Sequence, residues 1–236
     1  MKPNIIIVGP SGSGKSSSMR NLDPKSTAVI NTERKQLPFR NANEFMNVPV
    51  KSVSEFHAAL DKAIKSDKIK TIVVESFTSL VETIYREAEI RYKGFDVWNY
   101  YNKEIGNVLD KSKNSDKYVV FTAIDGVYDG DNGVEERYVA VDGNRWKKRV
   151  EKEFVVSLYT DAKATDEGVQ YRFRTNTTGR DSAKSPMGMF KELHIDNCLR
   201  KVIRGCKDYY TEPQTAIMNS TFAATRIKVS DVVDKV

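Results

Sequence analysis

Cysteine and histidine are scarce in this chain of 236 residues, which narrows the chemistry open to it. There are two cysteines, Cys198 and Cys206, and two histidines, His57 and His194. On one helix the cysteines would stand about 12 Å apart along the axis, too far for a disulfide. These four residues are few and far apart in sequence, so a zinc site or a catalytic Ser-His or Cys-His pair is improbable. We therefore expect the chemistry to depend on a bound cofactor.

Long apolar runs are also missing. The longest, residues 118–124, is far shorter than the roughly 20 apolar residues that a membrane-spanning helix needs. The N-terminal residues pass from the apolar run Ile5–Val8 directly into a glycine loop, unlike a secretory signal. We therefore expect a cytoplasmic protein without a membrane partner. The net charge of +6 is compatible with binding a polyanion but is too small to establish it.

Apolar runs alternate with amphipathic stretches over about the first 125 residues, which predicts a parallel α/β sheet with helices on both faces. Strands are predicted at residues 4–8, 27–31, 69–75 and 118–124, and helices from Ser52 onward, at 78–92 and at 98–111. Beyond residue 125, predicted strands at 155–159 and 169–174 flank a turn, and a helix is predicted at 197–210. We expect antiparallel hairpins that extend the sheet, one domain of residues 1–210, and a tail of residues 211–236 whose packing the composition does not decide.

Residues 9–16 match the pattern G-x-x-x-x-G-K-[ST] directly after a predicted strand and before a helical stretch. Such a loop points backbone N–H groups at a phosphate, and the following helix adds its positive end. Lys15 should reach the β- and γ-phosphates and Ser16 should ligate Mg²⁺, so ATP and Mg²⁺ are the predicted cofactors. The alternative is a glycine-rich turn that binds nothing. The predicted cofactor-binding residues are Gly9, Pro10, Ser11, Gly12, Ser13, Gly14, Lys15, Ser16 and Ser17.

Two carboxylates follow predicted strands. Glu75 ends the run Thr71–Glu75 and is the candidate magnesium-side carboxylate, or Walker B residue, although Asp is more usual there and Glu75 could instead activate water. Glu33 follows the second strand, and ligands of open α/β sheets gather at such strand ends, so Glu33 is the candidate general base. Alternatively, Glu75 meets solvent or caps a helix, and Glu33 forms a surface pair with Arg34.

With these residues in hand, the sequence resembles RecA-like ATPases, most closely the compact phage-encoded members associated with homologous recombination or single-strand annealing. The resemblance rests on the phosphate loop, Glu33 and the run TIVVESFTSL at 71–80, and extends to the basic segment 178–186. It implies phosphate and metal roles for Lys15 and Ser16, water activation by Glu33 and the Walker B role for Glu75. It departs at residues 121–125, where such proteins often carry Gln or His to sense the γ-phosphate.

A basic segment suits single-stranded DNA, because its four cations surround an indole on which bases could stack. The predicted DNA-binding residues are Arg145, Trp146, Lys147, Lys148 and Arg149. Glu151 and Glu153 follow at once, however, so an amphipathic helix with a solvated charged face gives the same pattern.

Arg180 and Lys184 lie in a loop containing Gly, Ser and Pro, where a cation could reach a neighbouring subunit's nucleotide site as an arginine finger does. Exposed loop charges or a phosphate contact within the same chain are the alternatives. The resemblance further implies a homo-oligomer on DNA, with a single-strand DNA-binding protein as a candidate partner.

The sequence is compatible with three functions. The first is an ATPase that acts on single-stranded DNA in phage recombination or annealing. The second is a P-loop kinase that passes the γ-phosphoryl group to a small molecule, with residues 172–184 as a cationic lid. The third is a nucleotide-gated interaction module without catalysis. The RecA-like run after Glu75 favours the first.

Overall fold

The computed structural model describes residues 2–129 and 133–211. Its strands are β1 (Ile5–Val8), β2 (Thr27–Asn31), β3 (Met46–Pro49), β4 (Thr71–Glu75), β5 (Tyr118–Ala123), β6 (Asp125–Asp129), β7 (Glu135–Val139), β8 (Val156–Thr165), β9 (Gly168–Arg174) and β10 (His194–Asp196). Its α-helices are α1 (Val53–Lys65), α2 (Phe77–Arg91), α3 (Phe95–Lys113) and α4 (Leu199–Thr211). No helix in these residues combines the length and the apolar composition needed to cross a membrane.

One sheet of eight strands organises the molecule, in the order β10-β9-β8-β1-β5-β4-β2-β3. The strands from β8 to β3 in this order run parallel, whereas at the other edge β9 pairs antiparallel with β8 and β10 pairs antiparallel with β9. The carboxyl ends of β1, β2, β4 and β5 therefore share one edge, which brings together residues far apart in sequence.

Alternate side chains of β1 enter two separate cores, as a strand covered on both faces requires. Ile6 and Val8 join a cluster with residues of α1, α2 and α3. Ile5 and Ile7 join a second cluster with Val202 of α4. The helices α1, α2 and α3 thus cover one face, and α4 covers the other.

The predicted fold class is confirmed: a mostly parallel α/β sheet flanked by helices and extended by the antiparallel hairpin β8–β9. The predicted helices and core strands lie within a few residues of their observed bounds. Two features differ. β6 and β7 pair in a separate two-stranded sheet instead of extending the main one, and the edge strand β3 was not predicted.

The stretch after the phosphate loop is a 3-10 helix of six residues, Ser16–Asn21, and not a full α-helix. Serines favour local hydrogen bonds to the backbone, and the Ser18 hydroxyl donates to the Lys15 carbonyl oxygen at 2.5 Å. Pro24 then disfavours helical backbone at the residue before it. The helix whose positive N-terminal end would face a bound phosphate is therefore shorter than expected.

The division into a domain of residues 1–210 and a tail of residues 211–236 stays a prediction. Most of the tail, residues 212–236, lies outside the described residues, as does part of the turn cluster at 129–133.

Candidate nucleotide site

The phosphate loop connects β1 to the 3-10 helix and depends on its glycines. Gly12 and Gly14 have φ angles of 75° and 91°, in the left-handed region that favours glycine. Gly9 is needed for space, because a Cβ there would lie 1.7 Å from Thr160 Oγ1. Thr160 in turn donates a hydrogen bond to Ser13 Oγ at 2.7 Å, so β8 supports the loop from the side.

Lys15 carries the positive charge of the loop. Its ammonium donates to the carbonyl oxygens of Gly9 at 2.7 Å and of Pro10 at 2.8 Å, and the residue is only 8% exposed. Burial lowers its pKa, while the nearby carboxylate of Glu75 acts in the opposite direction. The charge is thus held inside the loop that a phosphate group would enter.

Glu75 lies at the end of β4, two strands from β1, with 6% exposure. One carboxylate oxygen accepts a hydrogen bond from the Ser16 hydroxyl, and the other accepts from Thr122 Oγ1 at 2.6 Å. Burial raises the pKa of Glu75, and these two hydrogen bonds oppose that rise. Thr122 belongs to the intervening strand β5, so the carboxylate is fixed from β5 and from the segment that follows β1.

Ser16 and Glu75 together fit a magnesium ion, which prefers oxygen ligands and keeps several waters and substrate phosphate oxygens around it. In the described part of the chain, no group of three or more His, Cys, Asp or Glu side chains gathers to hold a metal. The Ser16 hydroxyl and the Glu75 carboxylate therefore suit an ion that is bound together with a phosphate ligand, and they are too few to hold an ion by themselves.

Glu33 faces the same cavity from the turn after β2. Its carboxylate accepts from Ser76 Oγ at 3.2 Å and pairs with Lys35 Nζ at 3.1 Å, not with Arg34. The buried Asn31 side chain fixes this turn, accepting from the Arg34 N–H and donating to the Lys35 carbonyl, both at 2.7 Å. Glu33 is therefore placed beside the metal-side pair rather than within it.

These groups meet in a cavity of about 520 Å³. Six predicted loop residues line it: Ser11, Gly12, Gly14, Lys15, Ser16 and Ser17. Glu33 and Glu75 also line it, whereas Gly9, Pro10 and Ser13 shape the loop from behind. The lining residues that sequence reasoning missed are Arg20, Lys35, Pro38, Ile124, Tyr171 and Asn197.

The residue that follows β5, where RecA-like proteins often carry a Gln or His that senses the γ-phosphate, is apolar in this chain. Ile124 occupies the wall after β5. The next residue, Asp125, pairs with Arg137 of β7, whose Nε lies 2.5 Å from its carboxylate. The polar residue of this strand, Thr122, supports Glu75 instead.

The basic segment forms turns and not an amphipathic helix. Trp146 is 6% exposed and packs in the main core, so the stacking role predicted for it does not fit its position. Lys148 pairs with Glu136 at 2.8 Å, and Lys147 Nζ lies 5.0 Å from the ring centroid of Tyr128. Arg145 and Arg149 are exposed, and Lys147 is exposed as well.

The two candidate trans-acting cations have different surroundings. Arg180 is exposed, and its carbonyl oxygen accepts from the Arg137 N–H at 2.8 Å. Lys184 is half-buried with its ammonium 3.4 Å from the Lys152 carbonyl oxygen, and burial lowers its pKa. Its backbone pairs with Ser157 near the start of β8, away from the loop, so Lys184 does not contribute to its own chain's site.

A phosphate loop after the central strand, with a buried carboxylate on a strand two places away, defines a P-loop NTPase. Residues 1–187 match the family model of the AAA domain, and the chain belongs to this family. No curated protein matches the sequence. Among solved structures, the chain is similar to a KaiC-like protein from the hyperthermophilic archaeon Pyrococcus horikoshii, with 11% identity, 73% of this chain and 77% of that chain covered, and a TM-score of 0.44.

Proposed function

We propose that this chain binds Mg-ATP at the phosphate loop and hydrolyses it. The observation that carries the proposal is the convergence of Lys15, Ser16, Glu75 and Glu33 on one cavity from three separate segments. An ordinary glycine-rich turn would not need a buried lysine and a buried carboxylate around it, because burying charged groups is costly unless they are paired.

Each residue has a separate task in this proposal. Lys15 neutralises charge on the β- and γ-phosphates. The Ser16 hydroxyl and Glu75 would hold Mg²⁺, which when bound neutralises charge on the same oxygens. Glu33 orients a water molecule and accepts its proton as the water attacks the γ-phosphorus, while ADP departs with the bond electrons. Ser76 and Lys35 orient the Glu33 carboxylate.

The two carboxylates can be told apart by substitution. Glu33→Gln should slow turnover by about 10²- to 10⁴-fold, the usual contribution of a general base, and leave ATP affinity nearly unchanged. Glu75→Gln should raise the magnesium concentration required for binding as well as slowing turnover. Calorimetry over a magnesium series and a phosphate-release assay measure both. Glu44→Gln, at an exposed carboxylate, is the matched control. Normal turnover in Glu33→Gln, with turnover abolished only in Glu75→Gln, would make Glu75 the base.

We further propose that the ATPase acts on single-stranded DNA during phage recombination or annealing, in the cytoplasm of an infected cell. The sequence resemblance and the exposed cations Arg145, Lys147 and Arg149 support this. Because Trp146 is buried, the cations would contact DNA phosphates without stacking of a base on the indole. A homo-oligomer in which Arg180 or Lys184 reaches a neighbour's phosphates, and a single-strand DNA-binding protein as partner, belong to the same proposal.

Fluorescence anisotropy with a labelled oligonucleotide tests the DNA proposal. Single strands should bind more tightly than duplex, with affinity falling as salt rises and changing when ATP is added. Absence of binding at low salt with ATP present would contradict it. ATP consumption matched by a phosphorylated small molecule would then favour the kinase, and ATP binding without turnover would favour the nucleotide-gated module.

A further inference from the structure

The cavity has a second wall that the proposed hydrolysis does not use. It is formed by Tyr171 of β9, Asn197 between β10 and α4, and Arg20 of the 3-10 helix. Asn197 lies beyond residues 1–187, the part that matches the AAA domain. A segment outside the family match therefore contributes to the site.

The register of the β8–β9 hairpin places Tyr171 against the phosphate loop. Thr160, which bonds Ser13 of the loop, pairs with Phe173, and Ala162 pairs with Tyr171 two residues further along. Residues two apart on a strand share a face, so Tyr171 lies on the face that supports the loop. A Cβ at Gly14 would lie 3.0 Å from Tyr171 Cδ1, yet Tyr171 remains 41% exposed.

Asn197 ties this wall to the loop. Its side-chain amide donates to the Gly14 carbonyl oxygen at 3.2 Å. Arg20 Nη1 donates to the Asn197 backbone carbonyl oxygen at 3.0 Å and to its side-chain oxygen at 3.3 Å. Asn197 is buried and has partners for both ends of its amide. The wall therefore has a fixed position relative to the loop before any ligand enters, which reduces the cost of ordering it on binding.

The loop sets the direction of a bound nucleotide. Lys15, Ser16 and Glu75 define the end of the cavity that takes the β- and γ-phosphates and magnesium. Of the described residues that line the rest of the cavity, Tyr171 is the only one with an aromatic ring, so it offers a surface for the nucleoside. A nucleobase has an apolar face that stacks on an aromatic ring. We infer that Tyr171 stacks on the base of the bound nucleoside triphosphate and strengthens its binding, with Asn197 as a positioning residue.

This inference rests on the proposed function, and its test separates the base from the phosphates. Titration calorimetry compares Mg-ATP with Mg-tripolyphosphate, which has no base. Wild-type protein should bind Mg-ATP at least about fivefold more tightly, the lower end for one stacked base. Tyr171→Ala should lose this preference by weakening ATP alone, and Tyr171→Phe, which keeps the ring, should retain most of it. Tyr210→Ala, at an exposed tyrosine of α4, should change neither affinity.

Equal wild-type affinities for ATP and tripolyphosphate would overturn the inference even if the variants failed to fold. So would a folded Tyr171→Ala variant with unchanged ATP affinity, or one in which both ligands weaken alike, because the ring would then only support the loop. Failure of wild-type protein to bind either ligand would instead reject the proposed function. For Asn197, Asn197→Ala should weaken both ligands, since it acts through the loop; weakening of ATP alone would show direct contact with the nucleoside and reject the positioning role.

Discussion

The phosphate loop and the basic turn at residues 144–149 both concentrate positive charge, but they present it in opposite ways. In the loop one lysine, Lys15, is buried against two carbonyl oxygens and faces a buried carboxylate. In the turn three cations, Arg145, Lys147 and Arg149, are exposed around a buried indole, and Lys148 pairs with Glu136. A buried charge such as that of Lys15 would bind a ligand through its fixed position, so a single substitution should remove its contribution to affinity. Exposed cations would attract a polyanion through their combined charge, and dissolved salt screens this attraction.

Trp146→Ala should give the largest stability change, because it empties a buried site in the main core. We expect a decrease of about 3–5 kcal/mol in the free energy of unfolding, as is usual for a buried Trp, measured by urea denaturation. Lys147→Ala, at the exposed neighbour, should cost about 1 kcal/mol or less. A folded Trp146→Ala variant of unchanged stability that fails to bind single strands would show that Trp146 contacts DNA after all.

Lys15→Ala should weaken Mg-ATP binding by about 30-fold or more, since truncating one partner in a buried polar site costs about 2–5 kcal/mol. Calorimetry measures the affinity, and circular dichroism checks that the fold is kept. Lys68→Ala, at an exposed lysine that does not line the cavity, is the control and should leave ATP affinity unchanged. Unchanged ATP affinity and turnover in folded Lys15→Ala would reject the nucleotide site.

Glu75→Gln should raise the melting temperature of protein free of metal and nucleotide. Burial raises the Glu75 pKa, so the folded state binds this proton more tightly than the unfolded state, and wild-type stability falls as pH rises above about 4.3. The variant avoids this decrease, with a gain of about 2–4 °C for each kcal/mol. Thermal scans in EDTA at pH 4 and pH 8 should show the difference growing with pH. A difference independent of pH would show that ionisation of Glu75 carries no penalty.

Joint replacement of Lys147 and Arg149 by Ala should have the smallest effect. Removing one cation that binds a phosphate lowers the magnitude of the salt slope of single-strand binding by about 0.7, so removing this pair should flatten it by about 1.4 while ATP affinity stays unchanged. Anisotropy at several salt concentrations measures the slope. An unaltered slope would move the DNA-binding surface away from this turn.

The parts of the fold that could be predicted from the sequence are those with a strong local pattern. The strands β1, β2, β4 and β5 are continuous apolar runs, and α1 begins after Ser52, whose hydroxyl accepts from the Glu55 N–H at 3.1 Å. The edge strand β3 has only four residues, none of them buried, and ends at a proline, so its sequence is too short to indicate a strand. The burial of Trp146 could not be predicted, because a short run of cations around an aromatic ring looks the same in sequence whether it forms a turn or a helix.

The candidate site divides in the same way. The loop residues form a motif, and Glu33 and Glu75 follow recognisable strands, so their meeting could be predicted from parallel topology. Tyr171 and Asn197 reach the loop only because the C-terminal hairpin and β10 pack on the β8 side of β1. Both residues are more than 150 positions from Gly14 in the sequence. Contacts over such a separation leave no local sequence pattern from which they could be predicted.

The central position of β1 also governs how the protein opens. Ile5–Val8 is paired on both sides, with β5 and with β8, and four strands lie on its β3 side and three on its β10 side. Its amide protons should be among the last to exchange with deuterium, released only when the whole domain unfolds, whereas those of β10 exchange through fraying of the edge. We therefore expect partial openings at the sheet edges to leave the point of attachment of the phosphate loop intact.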